Sequence, residues 1–312
     1  MKRAFVFPGQ GSQTVGMGKA LAEAFIPARL LFEEVDDALN QKLSRLMFEG
    51  PESDLRLTEN TQPALMAHSL AAMRVLEQEC GMRLDTAAVF VAGHSLGEYS
   101  ALAAAGALEV SVAARLLKLR GQAMQRAVPV GEGAMAALLG LDLEPVRAIA
   151  AEAAEGEVCD CANDNAPGQV VVSGDVAAVE RAVKIAGEQG KRGIMLPVSA
   201  PFHCALMKPA ADAMAEALET TRIVPPAVPL VANVSAAAVR EPAEIRRLLV
   251  EQVTAMVRWR ESVLYMKEQG VDTLVEVGSG KVLSGLAKRI DRDLAGLSLQ
   301  APADIEAFAK TL

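Results

Sequence analysis

Residues 87–98 read AAVFVAGHSLGE, and this stretch predicts both the fold class and the chemistry of the chain. Ala87–Ala92 is a short apolar run with β character between turn residues, which indicates a buried strand. From Glu98 onward the residues favour a helix. The segment between them, Gly93–Gly97, has the G-x-S-x-G pattern of a nucleophile elbow, which requires this strand-to-helix context.

The elbow predicts a reactive serine at its centre. A tight strand-to-helix turn would strain the backbone of Ser95, and glycine two residues to either side avoids clashes. The N-terminus of the following helix would present free N–H groups, beginning with Leu96, to a developing oxyanion. We therefore expect Ser95 to be a nucleophile.

A nucleophilic serine needs a base, and the chain has three histidines. His94 is the neighbour of Ser95 on the elbow, so its side chain should point elsewhere and support the turn. His68 lies in a helical pattern and is expected to be solvated or packed. His203 follows a predicted strand in a loop with Pro201, where catalytic groups are common. Elimination and context favour His203 as the base.

Strand-like and helix-like segments alternate outward from the elbow, which predicts an α/β fold. A glycine-rich loop at Gly9–Gly18 follows the first predicted strand. The other elements predicted in the outer parts of the chain are strands at Arg3–Phe7, Pro229–Asn233 and Val271–Val277, a helix at Ala64–Cys80 entered through Pro63, and a helix through Ile290.

The middle of the chain predicts a separate unit of order βαββαβ, the arrangement of ferredoxin-like units. We expect an inserted small subdomain at residues 128–197, carried by a large subdomain built from residues 1–127 and 198–312. The predicted elements of the small unit are strands at Ala134–Leu139, Glu157–Ala162, Gln169–Ser173 and Ile194–Val198, with helices at Glu144–Glu155 and Asp175–Gln189.

Composition excludes several classes of protein. The 312 residues carry 31 Lys and Arg against 39 Asp and Glu, a net charge of −8 that argues against nucleic-acid binding. The longest stretch without these charged residues, Ile223–Val239, contains three prolines and predicts no membrane span. Four cysteines do not make a disulfide framework, and Cys159 with Cys161 lacks the second cluster of a metal site. We expect a reduced, cytoplasmic protein without a metal.

Two further segments allow more than one interpretation. Gly9-Gln10-Gly11 follows the first strand, but Thr14 and Met17 break the dinucleotide and P-loop spacings. A polar turn, in which Gln10 offers an N–H beside the elbow, is the better interpretation. Residues 115–126 carry four cations, which usually means a solvated helix face. Arg120 alone has apolar surroundings, and a buried arginine would need a carboxylate.

Taken together, several segments resemble the malonyl-CoA:acyl carrier protein transacylase family across nearly the whole chain. The segments are FPGQGSQ (Phe7–Gln13), TQPAL (Thr61–Leu65), GHSLGE (Gly93–Glu98), RGQAMQ (Arg120–Gln125) and PFH (Pro201–His203), with support from Asn163–Gly174 and Glu276–Leu286. The resemblance implies an α/β-hydrolase-like large subdomain that carries a ferredoxin-like small one.

The resemblance also implies roles for individual residues and a ping-pong transfer of malonyl from malonyl-CoA to the phosphopantetheine thiol of acyl carrier protein, without a cofactor. The implied roles are nucleophile for Ser95, base for His203, ligand of the malonyl carboxylate for Arg120, oxyanion-hole N–H donors for Gln10 and Leu96, and a histidine-orienting backbone carbonyl for Gln252. Phe202 resembles the form of the family that selects malonyl over methylmalonyl.

Two departures from the family pattern are expected to loosen local turns away from the chemistry. Ser279 and Met256 stand where proline is commoner. Because acyl carrier proteins are acidic and this chain is acidic too, docking would require local basic residues. The candidates are Lys184, Lys191 and Arg192 in the small subdomain and Arg115 and Lys118 in the large one, although each is at least as well explained as an ordinary solvated charge.

Three alternatives remain open at this stage. A serine hydrolase of the α/β-hydrolase type would carry an HGGG-like loop, and the chain has PGQGSQ in the comparable place. A carrier-protein-binding scaffold would not need the complete set of Ser95, His203 and Arg120. An acyltransferase of polyketide synthesis would share the mechanism. The first strand begins two residues after Met1, which we interpret as a stand-alone protein, and we expect a monomer.

Overall fold

A computed structural model describes all residues from Met1 to Leu312 and contains two sheets. The larger has the strand order β10-β9-β1-β2-β7-β8, in which every neighbouring pair is parallel except β7 and β8. The smaller has the order β4-β5-β3-β6 and is antiparallel throughout. The strands are β1 (Arg3–Phe7), β2 (Phe90–Gly93), β3 (Gly133–Leu139), β4 (Cys159–Ala166), β5 (Gln169–Asp175), β6 (Arg192–Met195), β7 (Leu230–Val231), β8 (Ala238–Val239), β9 (Thr273–Val277) and β10 (Ala295–Leu299).

Helices cover both faces of the large sheet, so its strands are apolar on both sides. In β1, Phe5 and Phe7 join one buried cluster, while Ala4 and Val6 join another on the opposite face. The helices are α1 (Lys19–Ala24), α2 (Ile26–Leu39), α3 (Leu43–Glu49), α4 (Glu52–Leu55), α5 (Thr58–Gln78), α6 (Leu84–Ala87), α7 (Gly97–Ala104), α8 (Val110–Ala127), α9 (Leu143–Ala154), α10 (Val176–Glu188), α11 (Lys208–Glu219), α12 (Pro242–Glu251), α13 (Trp259–Glu268), α14 (Val282–Ile290) and α15 (Pro302–Ala309).

The small sheet follows the predicted order, β3-α9-β4-β5-α10-β6. Helices α9 and α10 pack on one face of it, where Leu138 and Val172 belong to their shared core. On the other face, Met135 and Val171 join the main core of the molecule. The α/β class and the ferredoxin-like strand order are therefore as predicted, while the subdomain boundaries stay a prediction.

Strand β4 connects the small sheet to the segment that leads into α13. The Asp164 N–H donates to the Val257 carbonyl at 3.0 Å, and the Val257 N–H donates to the Ala162 carbonyl at 2.8 Å. Asp164 also forms an ion pair with Arg260 on α13 at 2.9 Å. These contacts fix the small sheet against the large part beside the carboxyl ends of β1 and β2.

Several predicted bounds are wrong. Helix α5 begins at Thr58 instead of near Pro63, because the Leu57 carbonyl already accepts the N–H groups of Asn60 and Thr61. Pro63 removes one hydrogen bond inside a helix whose packing offsets the loss. The predicted strand Ala87–Ala92 is shifted to β2, because residues 84–87 form a helical turn.

The last strand of the small unit also differs from the prediction. Strand β6 ends at Met195, so the residues after it, predicted to continue the strand to Val198, form a wall of a cavity instead. No helix combines the length and the apolar character that a membrane crossing requires.

Candidate active site

The elbow depends on close backbone approach. A Cβ on Gly93 would lie 1.9 Å from the carbonyl carbon and oxygen of Gly97, and a Cβ on Gly97 would lie 2.3 Å from the Phe7 carbonyl oxygen. No side chain fits at either position. Ser95 between them has a φ of 53°, the left-handed region that non-glycine residues rarely adopt. The strained turn thereby raises the serine side chain above the sheet.

Ser95 and His203 are in direct contact. The Ser95 Oγ lies 2.7 Å from the His203 Nε2. The His203 Nδ1 lies 2.9 Å from the Gln252 carbonyl oxygen and 3.2 Å from that of Ala255, so it carries the proton and donates it to them. The Nε2 lone pair then faces the serine hydroxyl. His203 has a φ of 59°, so its backbone is also in the left-handed region.

The environment keeps His203 neutral. Its side chain is buried, and burial lowers its pKa to about 3, with a further lowering by the Arg120 and His94 side chains. The two hydrogen bonds to backbone carbonyls raise the pKa of His203, but by less than burial lowers it. A neutral imidazole is the form that can accept the Ser95 proton.

Arg120 on α8 is a buried cation beside the nucleophile. It is 1% exposed, and its Nη2 donates to the Gln252 Oε1 at 2.7 Å and to the Ser95 Oγ at 3.2 Å. The Nη1 donates to the Gln62 Oε1 at 2.8 Å, while the Nε has no partner. The expected carboxylate partner is absent from its contacts, because neutral amides fill that place. A buried guanidinium without a contacting anion is suited to bind one.

The Gln10 and Leu96 N–H groups have no acceptor within the protein, and both residues line the same cavity as Ser95. The Ser95 N–H differs, since it donates to the Asn233 Oδ1 at 2.8 Å. Two free backbone donors beside the nucleophile have the character of an oxyanion hole. The resemblance implies this role for the same two residues, and the role stays a prediction.

Sequence reasoning missed two buried residues under the elbow. Asn233 accepts from Ser95 N–H and donates its Nδ2 to the Gly93 carbonyl at 2.6 Å. Its own N–H donates to the Glu98 Oε1 at 3.0 Å. The available signals were weak: Asn233 ends a predicted strand, and Glu98 follows the elbow directly.

The site opens into a cavity of about 630 Å³ between the two sheets. Ser95, Arg120 and His203 lie on the side of the large sheet. Met135 and Leu196 line the opposite side, and the lining also includes Phe202, Asn163 and Met124. This volume is in the range of pockets that hold small acyl and cofactor-sized ligands.

Of the other two histidines, His68 is buried in the interior, whereas His94 is half-buried and lines the cavity. The His94 Nε2 contacts the Asn165 Oδ1 at 2.8 Å, and burial lowers its pKa. The His68 Nε2 contacts the Gln300 carbonyl oxygen at 3.0 Å, and burial lowers its pKa to about 4. Neither ring contacts the Ser95 Oγ, and the His94 side chain points toward Asn165 instead.

The two departures from the family pattern lie outside this cavity. The Ser279 Oγ donates to the Ser12 carbonyl oxygen at 2.6 Å, which connects the two loops. Met256 lines a second cavity, of about 670 Å³, together with Cys159 and Cys161. Burial raises the pKa of these two thiols to about 12 and about 11, so both stay protonated near neutral pH.

The basic residues considered for docking lie in both subdomains. On α8, Arg115 is exposed and Lys118 forms an ion pair with Glu59 at 3.1 Å. Lys184 lies 3.9 Å from Glu188 on the same helix, while Lys191 and Arg192 are exposed and have no ion-pair partner. Arg192 begins β6, and the chain continues from that strand into Leu196 on the cavity wall. Their role in docking stays a prediction.

Comparison with known proteins gives one consistent result. Residues 4–290 match the acyl transferase domain family. The chain is 47% identical over 313 residues to the malonyl CoA-acyl carrier protein transacylase of Bacillus subtilis strain 168, covering 100% of the chain and 97% of that relative. The enzyme of the same name from Escherichia coli K12 is 48% identical, with 97% of both proteins covered.

Solved structures agree with this result. The acyl-carrier-protein S-malonyltransferase of Bartonella henselae superposes with a TM-score of 0.97 at 55% identity, covering 100% of this chain and 99% of that one. A malonyl transacylase solved in complex with a type II polyketide acyl carrier protein has a TM-score of 0.96 at 44% identity, with 100% of both chains covered.

Proposed function

This chain belongs to the malonyl-CoA:acyl carrier protein transacylase family, and we propose that Ser95 and His203 perform its transfer reaction. The enzyme is an acyltransferase that moves malonyl from malonyl-CoA to the phosphopantetheine thiol of acyl carrier protein. One observation supports the site assignment above all others. The Ser95 Oγ lies 2.7 Å from a neutral imidazole and 3.2 Å from the buried Arg120 guanidinium.

The first half-reaction acylates the serine. The Ser95 Oγ attacks the thioester carbonyl of malonyl-CoA as the His203 Nε2 takes its proton. The Gln10 and Leu96 N–H groups stabilise the oxyanion, each contributing about 3 kcal/mol in the transition state. The C–S bond breaks, CoA leaves with the proton from His203, and malonyl stays as an ester on Ser95.

The second half-reaction regenerates the free Ser95 hydroxyl. The carrier-protein thiol gives its proton to His203, and its sulfur attacks the malonyl ester. The C–O bond breaks, and Ser95 regains its proton from His203. Atoms and charges balance without a cofactor, so we propose that none is required.

Arg120 provides the selection of the acyl group. Its guanidinium can pair with the free malonyl carboxylate through charge-assisted hydrogen bonds. An acetyl group would leave the buried cation without an anion, which costs binding energy in the same site. Phe202 in the cavity wall supports selection of malonyl over the bulkier methylmalonyl.

We also propose subdomain bounds, a compartment, a pathway and an oligomeric state. We place residues 1–127 and 198–312 in the catalytic subdomain and residues 128–197 in the small one, because the two sheets separate near these bounds. The free thiols are consistent with the reducing cytoplasm. We propose fatty acid synthesis as the pathway, and a monomer as the active form.

The decisive experiment is intact-protein mass spectrometry after brief incubation with malonyl-CoA, followed by addition of holo acyl carrier protein. We expect one malonyl adduct on Ser95, which then disappears onto the carrier thiol. Ser95→Ala should give no adduct, and an adduct that persists in this variant would identify another nucleophile. An adduct that decays at the same rate without carrier would make the enzyme a hydrolase.

A further inference from the structure

Glu98 is a buried acid that the proposed reaction does not use. It lies in the first turn of α7, is 1% exposed and has no Lys or Arg within ion-pair distance. Its Oε1 accepts the Asn233 N–H at 3.0 Å, and its Oε2 accepts from the Gln252 Nε2. Both oxygens therefore act as acceptors, which is what an ionised carboxylate provides.

Gln252 connects this acid to the rest of the site. Its backbone carbonyl accepts from His203 at 2.9 Å. Its side-chain Nε2 donates to the Ser95 carbonyl at 2.9 Å and to Glu98, and its Oε1 accepts from Arg120 at 2.7 Å. The amide thus lies between a buried cation and a buried anion, with its oxygen toward the cation.

We infer that Glu98 is a positioning residue for carboxylate recognition: it fixes the Gln252 amide in the orientation that presents Oε1 to Arg120. The inference rests on the proposed function, since it concerns how Arg120 is held for the malonyl carboxylate. In the flipped orientation the amide NH₂ would face the guanidinium, and its oxygen would face the Glu98 carboxylate. The first contact would place two donors together and the second two acceptors. Unsatisfied hydrogen-bonding groups cost free energy in a buried site.

The intervening amide has a second consequence for the cation. A carboxylate in direct contact with Arg120 would neutralise it and compete with the substrate's carboxylate. With Gln252 between them, Glu98 orients Arg120 without occupying the hydrogen-bonding positions that the substrate needs. The unpartnered Arg120 Nε is consistent with a guanidinium that is held but not saturated.

The test uses Glu98→Gln, which has the same shape but cannot accept hydrogen bonds at both positions. We expect the KM for malonyl-CoA to rise about tenfold or more. Acylation of Ser95 by p-nitrophenyl acetate, which has no carboxylate, should stay within about twofold of wild type because the Ser95–His203 pair is intact. An unchanged malonyl-CoA KM, or equal losses with both donors, would overturn the inference.

A second variant separates positioning from a purely structural role. Glu98→Gln combined with Gln252→Glu exchanges the acid and the amide, so the amide NH₂ introduced at position 98 can donate to the carboxylate introduced at position 252. The exchange also puts that carboxylate against Arg120. We expect thermal stability to recover only in part, because the Ser95 carbonyl loses its Gln252 Nε2 donor, and the malonyl-CoA KM to stay high. Recovery of both would assign Glu98 a structural role only.

The wild-type protein provides a test that needs no variant. Burial raises the pKa of Glu98 to about 7, while its partners Asn233, Gln252 and Arg120 oppose the rise. The charged or titratable groups facing it are Arg120 and Tyr99, and burial raises the pKa of Tyr99 to about 12, so neither changes charge near neutrality.

Protonation of Glu98 places an O–H donor against another donor, so the malonyl-CoA KM should rise as the pH falls through about 7. A constant KM between about pH 8.5 and about pH 5.5 would contradict the inference. The proposed function fails by a different result, the absence of a malonyl adduct on wild-type Ser95.

Discussion

The wall of the cavity on the side of the large sheet is held by buried hydrogen bonds, whereas the wall on the side of the small sheet is apolar inside and charged outside. On the first side, Ser95, Arg120 and Gln252 each have partners within the site at fixed distances, and Glu98 accepts from Gln252. We call Ser95, Arg120 and Gln252 the catalytic wall. Their interactions lie away from solvent, where electrostatic effects are strong.

The opposite side, which we call the sheet wall, presents Met135 and Leu196 to the cavity. Its charged residues, such as Lys191 and Arg192, lie on the exposed surface, where salt and water screen them. From this difference we expect the catalytic wall to determine which acyl group reacts, and the sheet wall to affect the shape of the cavity and the approach of the carrier protein. Substitutions on the two walls should therefore differ in size and in kind.

The largest difference is expected for Arg120→Ala. It removes the cation that we propose pairs with the malonyl carboxylate, and it leaves the Gln62 and Gln252 side-chain oxygens without the Arg120 donor. We expect kcat/KM for malonyl-CoA to fall on the order of 100-fold, with a much smaller change for acetyl-CoA. Steady-state kinetics with both donors measures the ratio.

The matched control is Arg126→Ala, an exposed cation on the same helix that makes no contact with the site. Its kinetics should equal those of wild type. If Arg120→Ala lost malonyl and acetyl transfer in equal proportion, the catalytic wall would not select the acyl group through this cation.

The pH dependence of Ser95 acylation is expected to be smaller and separates His203 from Glu98. Since the pKa of His203 is lowered to about 3, its base form is present above that value and is lost only as the pH falls through it. The p-nitrophenyl acetate burst should therefore show no loss near pH 6.5, the usual histidine value, down to about pH 5. A fall in the burst rate near pH 6.5 would show that His203 is solvated during the reaction.

The smallest effect is expected on the sheet wall. Reversing the charge of Lys191 and Arg192 together, to Glu, should raise the KM for acyl carrier protein a few-fold at low ionic strength and leave the malonyl adduct on Ser95 unchanged. Arg292→Glu is a matched control, an exposed cation between α14 and β10. An unchanged carrier-protein KM would remove both residues from the docking surface.

The parts of the molecule that were predictable from sequence depend on local geometry. The elbow requires glycine at positions 93 and 97 because neighbouring backbone atoms occupy the space that a Cβ would need. The G-x-S-x-G motif makes this requirement visible in the sequence. His203 emerged because the chain offers only two other histidines. Strand β1 was predictable because alternate residues enter two different cores.

The parts that escaped prediction depend on contacts between distant segments. Asn233 and Glu98 are 135 positions apart, and no local pattern joins them. Strand β10 has exposed Ala295 and an exposed fraction of 40% at Leu297, so it lacks the apolar signal of a buried strand. The early start of α5 depends on the Leu57 carbonyl and on tertiary packing around Pro63, which outweighs the local preference of proline.

The left-handed backbone conformations of Ser95 and His203 lower the stability of the fold, whereas their side chains are needed for the proposed reaction. A non-glycine residue in that region lowers the free energy of unfolding by about 1 kcal/mol or more, and packing elsewhere has to offset this strain at both positions. Random change toward glycine at either position would relieve the backbone and remove the chemistry. The strain at these two positions therefore serves the proposed chemistry and not the stability of the fold.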